Sequence, residues 1–179
     1  MNMSSNLKGL VISGPTGVGK TDMSIKLAKL LNSEIISADS SQIYRYMDIG
    51  TAKITNEEMQ GIRHYLIDIA DPGEDYSVGD FEIQVNSILK DKEKNQENIL
   101  LVGGTGLYIK AITDGFSNLP SKDEKVRNEL EGKTLEELRK MLEKLDKKAY
   151  GEIDIYNKLR LVRAIEVCIL TGGKFSELK

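Results

Sequence analysis

The sequence is poor in the features that mark secreted and membrane-spanning proteins. It has a single cysteine, Cys168, so no disulfide can form within the chain, as is usual in a reducing compartment. No apolar run is long enough to cross a bilayer, and the first residues lack the basic and then apolar pattern of a secretory signal. We therefore expect a cytosolic protein without membrane attachment, and a monomer.

The sequence also lacks an excess of positive charge. It has 25 Lys and Arg against 28 Asp and Glu, which gives a net charge of −3. No overall positive field draws such a protein to nucleic acid. A local groove with a few basic side chains can still bind one folded RNA, so the charge disfavours a nucleic-acid partner without excluding it.

The remaining composition is that of a globular protein, with 40% hydrophobic and 30% charged residues. Helical spacings, such as the one over Thr21–Leu31, separate the segments that we predict as strands. Strands that alternate with helices predict an α/β fold with a doubly wound parallel sheet, like that of P-loop NTPases. The predicted strands are Leu7–Ser13, Glu34–Ala38, Tyr65–Ile69 and Ile99–Val102.

The pattern changes after Pro120, where the chain becomes rich in Lys and Glu. Thr134 begins a capping box, and a last helix is predicted from Asn157 to Leu170, ending at Gly172. We predict an α/β core at 1–118, an inserted helical arm at 119–156 and a helix at 157–179 that returns to the core. The inward residues of this last helix should be Leu159, Val162, Ile165 and Ile169.

A P-loop lies between the first predicted strand and helix. Its glycines turn backbone amides toward an anion, and the following helix adds partial positive charge. Lys20 is the charge for the terminal phosphate, and the Thr21 hydroxyl is placed to bind magnesium. A chance glycine-rich turn is the alternative, which the complete match disfavours. The P-loop residues are Gly14, Pro15, Thr16, Gly17, Val18, Gly19, Lys20 and Thr21.

The carboxylate that P-loop NTPases use to hold magnesium is not evident. The most apolar strand ends in Gly103-Gly104-Thr105, without an acid, and Asp68 and Asp71 beside another strand are imperfect substitutes. This weighs against motor and switch NTPases.

Two polar residues follow predicted strands at the sheet edge that also holds the P-loop. Asp39 is placed to orient magnesium or accept a proton, or else only forms a turn. Thr105 is placed to contact a ligand, to cap a helix, or both. We assign Cys168 to packing, and we do not assign the lone His64 to catalysis.

Further sequence blocks accompany the P-loop, and together they resemble the tRNA dimethylallyltransferase family, also called tRNA isopentenyltransferases. The blocks DSSQIY and MDIGTAK are far more specific than the P-loop. The matching stretches are Ile35–Tyr44, Met47–Lys53, His64–Asp68, Val102–Tyr108 and Arg160–Val167.

The resemblance implies transfer of the dimethylallyl group from dimethylallyl diphosphate to the exocyclic amine of an adenosine next to the anticodon of tRNA. The P-loop and magnesium would hold the diphosphate leaving group. Asp39 would accept the proton of the amine, with Lys20 and Thr105 as further catalytic residues.

The same resemblance implies a set of tRNA contacts, with the target base flipped out of its stack. Relatives often carry a larger side chain at Ser41, and they continue well past Gly173, so we expect this chain to be truncated. The residues implied to contact tRNA are Asp39, Ser40, Ser41, Gln42, Thr105, Arg127, Leu159, Arg160, Leu161, Val162 and Arg163.

Three other functions remain open at this point. An adenylate isopentenyltransferase shares the donor but alkylates a free nucleotide, which needs no helical arm. A small-molecule P-loop kinase would transfer phosphate from ATP. A binding module would retain phosphate affinity without turnover.

Overall fold

The computed structural model of the chain describes residues 9–115, 119–120 and 122–178. The chain divides into two compact units, one ending at residue 116 and one beginning at residue 117. The first unit contains the β-sheet and the second is helical. No helix in the described ranges is both long and apolar enough to span a membrane.

The first unit is built on a four-stranded sheet in the order β1-β4-β2-β3. All neighbouring pairs are parallel, which confirms the predicted α/β class. Because the carboxyl ends of parallel strands share one edge, the P-loop, Asp39 and Thr105 lie along the same edge of the sheet. The strands are β1 (Gly9–Ser13), β2 (Ser33–Ser37), β3 (His64–Tyr65) and β4 (Asn98–Gly103).

Helices cover both faces of this sheet, as in a doubly wound fold. Successive strand residues point to opposite faces, so Ile35 and Ile36 of β2 belong to different cores. Ile35 packs with Ile25 of α1, whereas Ile36 packs with Phe81 of α3. The helices of this unit are α1 (Lys20–Leu31), α2 (Asn56–Met59), α3 (Val78–Asn95) and α4 (Gly106–Thr113).

Strand β1 lies at one edge of the sheet. Its side chains Leu10 and Val11 are 43% and 41% exposed. Of the residues that the structure describes, none forms a strand on the outer side of β1. Successive apolar residues are typical of a strand that is covered on both faces, but the side chains of β1 are only partly covered here.

The predicted third strand is wrong beyond Tyr65. Leu66 and Asp68 have φ values of 64° and 55°, in the left-handed region, and an extended strand cannot continue through them. Strand β2 begins and ends one residue earlier than predicted. The predicted start of the first strand, Leu7 and Lys8, lies outside the described residues.

The second unit packs its helices around its own apolar core. Leu138, Leu142, Leu161 and Ile165 are completely buried in it. The predicted capping box at Thr134 is confirmed, since its side chain accepts a hydrogen bond from the amide of Glu137. The helices are α5 (Glu124–Glu131), α6 (Leu135–Leu145), α7 (Lys147–Glu152), α8 (Lys158–Thr171) and α9 (Phe175–Leu178).

The inward face of α8 differs from the prediction. Leu159 and Ile169 are 73% and 47% exposed, so their assignment to the core is wrong. The prediction is confirmed for Val162 and Ile165, and the buried face also contains Leu161 and Cys168. Burial raises the pKa of the Cys168 thiol, as expected of a packing cysteine.

Gly103 at the end of β4 allows β4 and β2 to approach closely. A Cβ atom there would lie 2.1 Å from the carbonyl oxygen of Ala38. We expect Gly103→Ala to reduce the free energy of unfolding by about 2 kcal/mol, because the strand ends must move apart. Chemical denaturation measures this. Gly106→Ala is the matched control, since a Cβ there meets nothing within 4 Å. Equal stability of the two variants would contradict the steric argument.

Candidate functional site

The P-loop joins β1 to α1 at the carboxyl edge of the sheet. Gly17 and Gly19 have φ values of 83° and 81°, which favour glycine and turn the loop around its centre. The Nζ atom of Lys20 donates a hydrogen bond to the carbonyl oxygen of Pro15 at 2.7 Å. The ammonium group therefore lies against the loop that would hold an anion.

A cavity of about 590 Å³ opens beside the P-loop within the first unit. Lys20 and Thr21 line it from the P-loop side, and Ser37 and Asp39 line it from the end of β2. The phosphate-binding side chains and the candidate proton acceptor thus share one cavity. The sequence predicted this juxtaposition from the parallel order of the strands alone.

Asp39 forms a turn and also faces the cavity. Its Oδ1 atom accepts hydrogen bonds from the backbone amide of Ser41 at 3.0 Å and from the Ser41 hydroxyl at 2.6 Å. Within the described part of the chain, no donor reaches Oδ2. The two alternatives for Asp39 are therefore compatible, because the turn uses one oxygen and leaves the other for a ligand. Sequence reasoning missed the contact of Ser41 with Asp39.

Thr105 connects the loop after β4 to the loop that carries Asp39. It occupies the N-cap position of α4, but its side chain makes no capping hydrogen bond. Its Oγ1 atom instead accepts a hydrogen bond from the Ser40 amide at 2.9 Å. Its own amide donates to the carbonyl oxygen of Ala38 at 3.1 Å. Thr105 thus fixes the position of the Asp39 loop.

Lys53 organises the MDIGTAK block, which forms another wall of the cavity. Its side chain is 4% exposed, and its Nζ atom donates to Asp48 at 2.8 Å and to Asp68 at 2.6 Å. Burial would lower the pKa of Lys53, but these hydrogen bonds outweigh it and the pKa is raised. Sequence reasoning missed this role, although the block itself was conspicuous.

Asp68 and Asp71, the two carboxylates that we considered as substitute magnesium ligands, both form salt bridges within the protein. Asp68 pairs with Lys53 at 2.6 Å, and Asp71 pairs with Arg45 at 2.8 Å. The residues that line the cavity include neither of them. No group of three or more acidic, His or Cys side chains in the described ranges could hold a metal ion.

His64, which we did not assign to catalysis, also lines the cavity. Its Nδ1 atom lies 2.9 Å from the carbonyl oxygen of Ile62. Because a carbonyl only accepts, Nδ1 carries the proton and Nε2 is the acceptor in the neutral ring. Burial lowers the pKa of His64, which favours this neutral form.

In the second unit, two of the predicted tRNA-binding arginines meet at one buried carboxylate. Glu166 has no exposed surface and accepts hydrogen bonds from Arg127 Nε at 2.9 Å and Arg163 Nη1 at 2.7 Å. Burial would raise the pKa of Glu166, but the hydrogen bonds from both arginines outweigh it and lower the pKa to about 2. Sequence reasoning missed Glu166, because an acidic residue on a helix is usually exposed.

The other predicted tRNA contacts of the second unit lie on α8 and differ in exposure. Leu161 and Val162 are 0% and 2% exposed, so their side chains belong to the helical core. Leu159 and Arg160 line a second cavity of about 540 Å³, inside the second unit. The side chains of this segment that line the cavity are therefore those of Leu159, Arg160 and Arg163.

Solved structures of similar proteins reproduce the fold. A tRNA isopentenylpyrophosphate transferase from Bacillus halodurans is 47% identical, with a TM-score of 0.62 over 93% of this chain and 56% of its own. A eukaryotic dimethylallyltransferase acting on tRNA is 30% identical, with a TM-score of 0.84 over 95% of this chain and 44% of its own.

Proteins of similar sequence are also tRNA dimethylallyltransferases, and the similarity extends over most of the chain. A tRNA dimethylallyltransferase from Fusobacterium nucleatum is 54% identical over 171 residues, which are 96% of this chain and 56% of that protein. The chain thus spans about half the length of the relatives it matches. The family model described as IPP transferase matches residues 42–179. With the P-loop, the Asp39 loop and the parallel sheet in place, this match shows that the chain belongs to the IPP transferase family.

Proposed function

We propose that the first unit binds dimethylallyl diphosphate and that the protein transfers its dimethylallyl group to the exocyclic amine of an adenosine next to the anticodon of tRNA. One observation carries the proposal: Lys20, Thr21 and Asp39 line the same cavity. The names of the relatives, which are tRNA dimethylallyltransferases and tRNA isopentenylpyrophosphate transferases, support the choice of donor and acceptor.

The chemistry requires charge stabilisation on one side of the cavity and proton removal on the other. The bond between the allylic carbon and the bridging diphosphate oxygen breaks, and the adenosine nitrogen forms its bond to that carbon. The diphosphate leaves with the bonding electron pair, and the P-loop amides and Lys20 stabilise the charge that it gains. Asp39 takes a proton from the amine as the new bond forms, because this weakly basic nitrogen would otherwise carry a positive charge.

The residues around Thr21 suit a magnesium ion that is bound mainly by the diphosphate. Thr21 lines the cavity and offers a hydroxyl oxygen beside Lys20. Magnesium takes few protein ligands and keeps phosphate oxygens and waters, so the lack of an acidic cluster in the described residues fits this arrangement. When bound, magnesium neutralises charge on the leaving diphosphate.

The tRNA would contact both units, with Asp39, Ser40, Ser41 and Gln42 around the flipped base. Arg160 of α8 is a natural phosphate ligand, and Asp39 and Thr105 stand next to the reacting base. An acidic protein with a net charge of −3 can bind RNA in this way through a few local basic side chains.

A transfer assay with labelled dimethylallyl diphosphate tests the proposal, with unmodified tRNA and AMP offered in parallel. We expect label in tRNA and none in AMP. Label in AMP alone would identify an adenylate isopentenyltransferase. Incorporation of the γ-phosphate of labelled ATP would identify a kinase, and diphosphate binding without turnover would identify a binding module.

Lys20→Ala should weaken donor binding. The ammonium of Lys20 lies against the loop and is its only side-chain cation, so its removal costs one charge-assisted contact to the diphosphate. We expect the Kd for dimethylallyl diphosphate to rise at least tenfold, a loss of about 1.4 kcal/mol or more. Calorimetric titration measures it. Lys29→Ala, at the far end of α1, is the control. An unchanged Kd for Lys20→Ala would contradict the role of the P-loop.

A further inference from the structure

Ser37, the last residue of β2, is buried but faces the cavity. Its relative exposure is 5%, and it is among the residues that line the space between the P-loop and Asp39. Among the described residues, no group forms a hydrogen bond with its hydroxyl. In the described ranges, fully buried side-chain atoms without a partner occur at Ser33 and Tyr76 but not at Ser37, so the Ser37 hydroxyl is accessible from the cavity. A ligand in the cavity would supply the missing partner.

The geometry of the sheet brings this hydroxyl close to the P-loop. Ser37 stands opposite Val102 in the parallel register of β2 and β4. At the next two positions, Gly103 at the end of β4 and Gly104 just after it, other parts of the chain come close. A Cβ on Gly103 would lie 2.1 Å from the carbonyl oxygen of Ala38, and one on Gly104 would lie 3.9 Å from Nζ of Lys20. The end of β4 therefore lies between the end of β2 and the Nζ atom of Lys20.

Ser33 on the same strand provides an internal comparison. Ser33 and Ser37 are four residues apart, so they share one face of β2. Ser33 is also buried, and its Oγ atom has no hydrogen-bond partner. Ser33, however, lies at the amino end of β2 and does not line the cavity. A ligand in the cavity can therefore satisfy the hydroxyl of Ser37 and cannot satisfy that of Ser33.

We propose that Ser37 is a further anion-binding residue of this site and donates a hydrogen bond to an oxygen of the bound diphosphate. The hydroxyl hydrogen can turn about the Cβ–Oγ bond to point at an acceptor, and a hydroxyl donates to a charged oxygen more strongly than to a neutral one. This role of Ser37 rests on the proposed function in one respect: a diphosphate must occupy the cavity.

Calorimetric titration with inorganic pyrophosphate and magnesium, at fixed salt, tests the proposal in the whole chain. For Ser37→Ala we expect the Kd to rise about tenfold, as for the loss of one charge-assisted hydrogen bond. Ser37→Cys, which keeps the volume but is a poor donor, should lose as much. Ser33→Ala should bind pyrophosphate like the unaltered protein. A Kd within twofold of that of the unaltered protein, for folded Ser37→Ala or Ser37→Cys, would overturn the proposal.

Thermal unfolding without pyrophosphate separates a binding role from a structural one. Because the hydroxyl of Ser37 has no partner among the described residues, Ser37→Ala should unfold at the same or a higher temperature. A lower unfolding temperature together with unchanged pyrophosphate affinity would assign Ser37 to the fold and overturn the proposal.

The outcome is distinguishable from failure of the proposed function. If pyrophosphate binds and Ser37→Ala weakens it, but no dimethylallyl is transferred, the binding role of Ser37 stands and the proposed reaction fails. If transfer occurs and Ser37→Ala binds pyrophosphate normally, only the role of Ser37 fails. If the unaltered protein does not bind pyrophosphate, both fail.

Discussion

Asp39→Ala is expected to abolish dimethylallyl transfer while the affinity for dimethylallyl diphosphate stays nearly intact. Asp39 faces the cavity that Lys20 and Thr21 also line, and only its Oδ1 is used by the Ser41 turn. Loss of a general base typically reduces a rate by about 10² to 10⁴. The proposed diphosphate contacts belong to the P-loop and Ser37, so donor binding should not depend on this carboxylate. Single-turnover rates and calorimetric donor titrations measure the two effects separately.

Asp71→Ala is a suitable control for this variant. Asp71 is another carboxylate of the first unit, but it pairs with Arg45 and does not line the cavity. It should transfer dimethylallyl at the rate of the unaltered protein. Comparable turnover of Asp39→Ala and Asp71→Ala would rule out proton acceptance by Asp39, and loss of donor affinity in Asp39→Ala would point to a role in binding.

Glu166→Ala should give the largest loss of stability in the second unit. Glu166 is completely buried and receives hydrogen bonds from Arg127, Arg163 and the amide of Asp123. Removing it takes away the carboxylate that the partly buried guanidinium groups of Arg127 and Arg163 share. Breaking a buried ion pair on one side typically costs about 3–5 kcal/mol. Chemical denaturation, followed by the circular dichroism signal of the helices, measures the change.

Glu136→Ala is the matched control for this loss. Glu136 also pairs with a cation of its own unit, Lys140, but both side chains are largely exposed. An exposed pair of this kind contributes little, so the variant should unfold like the unaltered protein. If Glu166→Ala were equally stable, the two arginines would have to be solvated independently of Glu166.

The same carboxylate predicts how stability depends on pH. The pKa of Glu166 is lowered from 4.5 to about 2 in the folded protein. Its contribution to stability is therefore fully present above about pH 4.5 and is lost as the pH falls toward 2. A shift of this size corresponds to about 3 kcal/mol. For Glu166→Gln, the free energy of unfolding should fall less steeply as the pH decreases across this acidic range.

The sequence predicted the parts of the site that follow from order along the chain. A P-loop after a strand and Asp39 after another strand must meet when both strands run parallel, and the structure places both in one cavity. The division into a core at 1–118, an arm and a returning helix remains a prediction. The roles assigned to individual site residues likewise remain proposals.

The parts that sequence reasoning missed depend on contacts between distant residues. Glu166 is one acidic residue among 28 Asp and Glu, and only the fold brings Arg127 to it across 39 positions. Lys53 likewise reads as a surface lysine until Asp68 is placed beside it. The short third strand depends on the left-handed backbone of Leu66, which a β-rich run of residues does not reveal.

The edge position of β1 has a consequence for handling the protein. The N–H and C=O groups on the outer side of β1 pair with no strand among the described residues, and Leu10 and Val11 beside them are partly exposed. Such an edge is a template for strands of other molecules. We therefore expect concentrated samples to self-associate through this edge, so intrinsic stability is best measured on dilute samples.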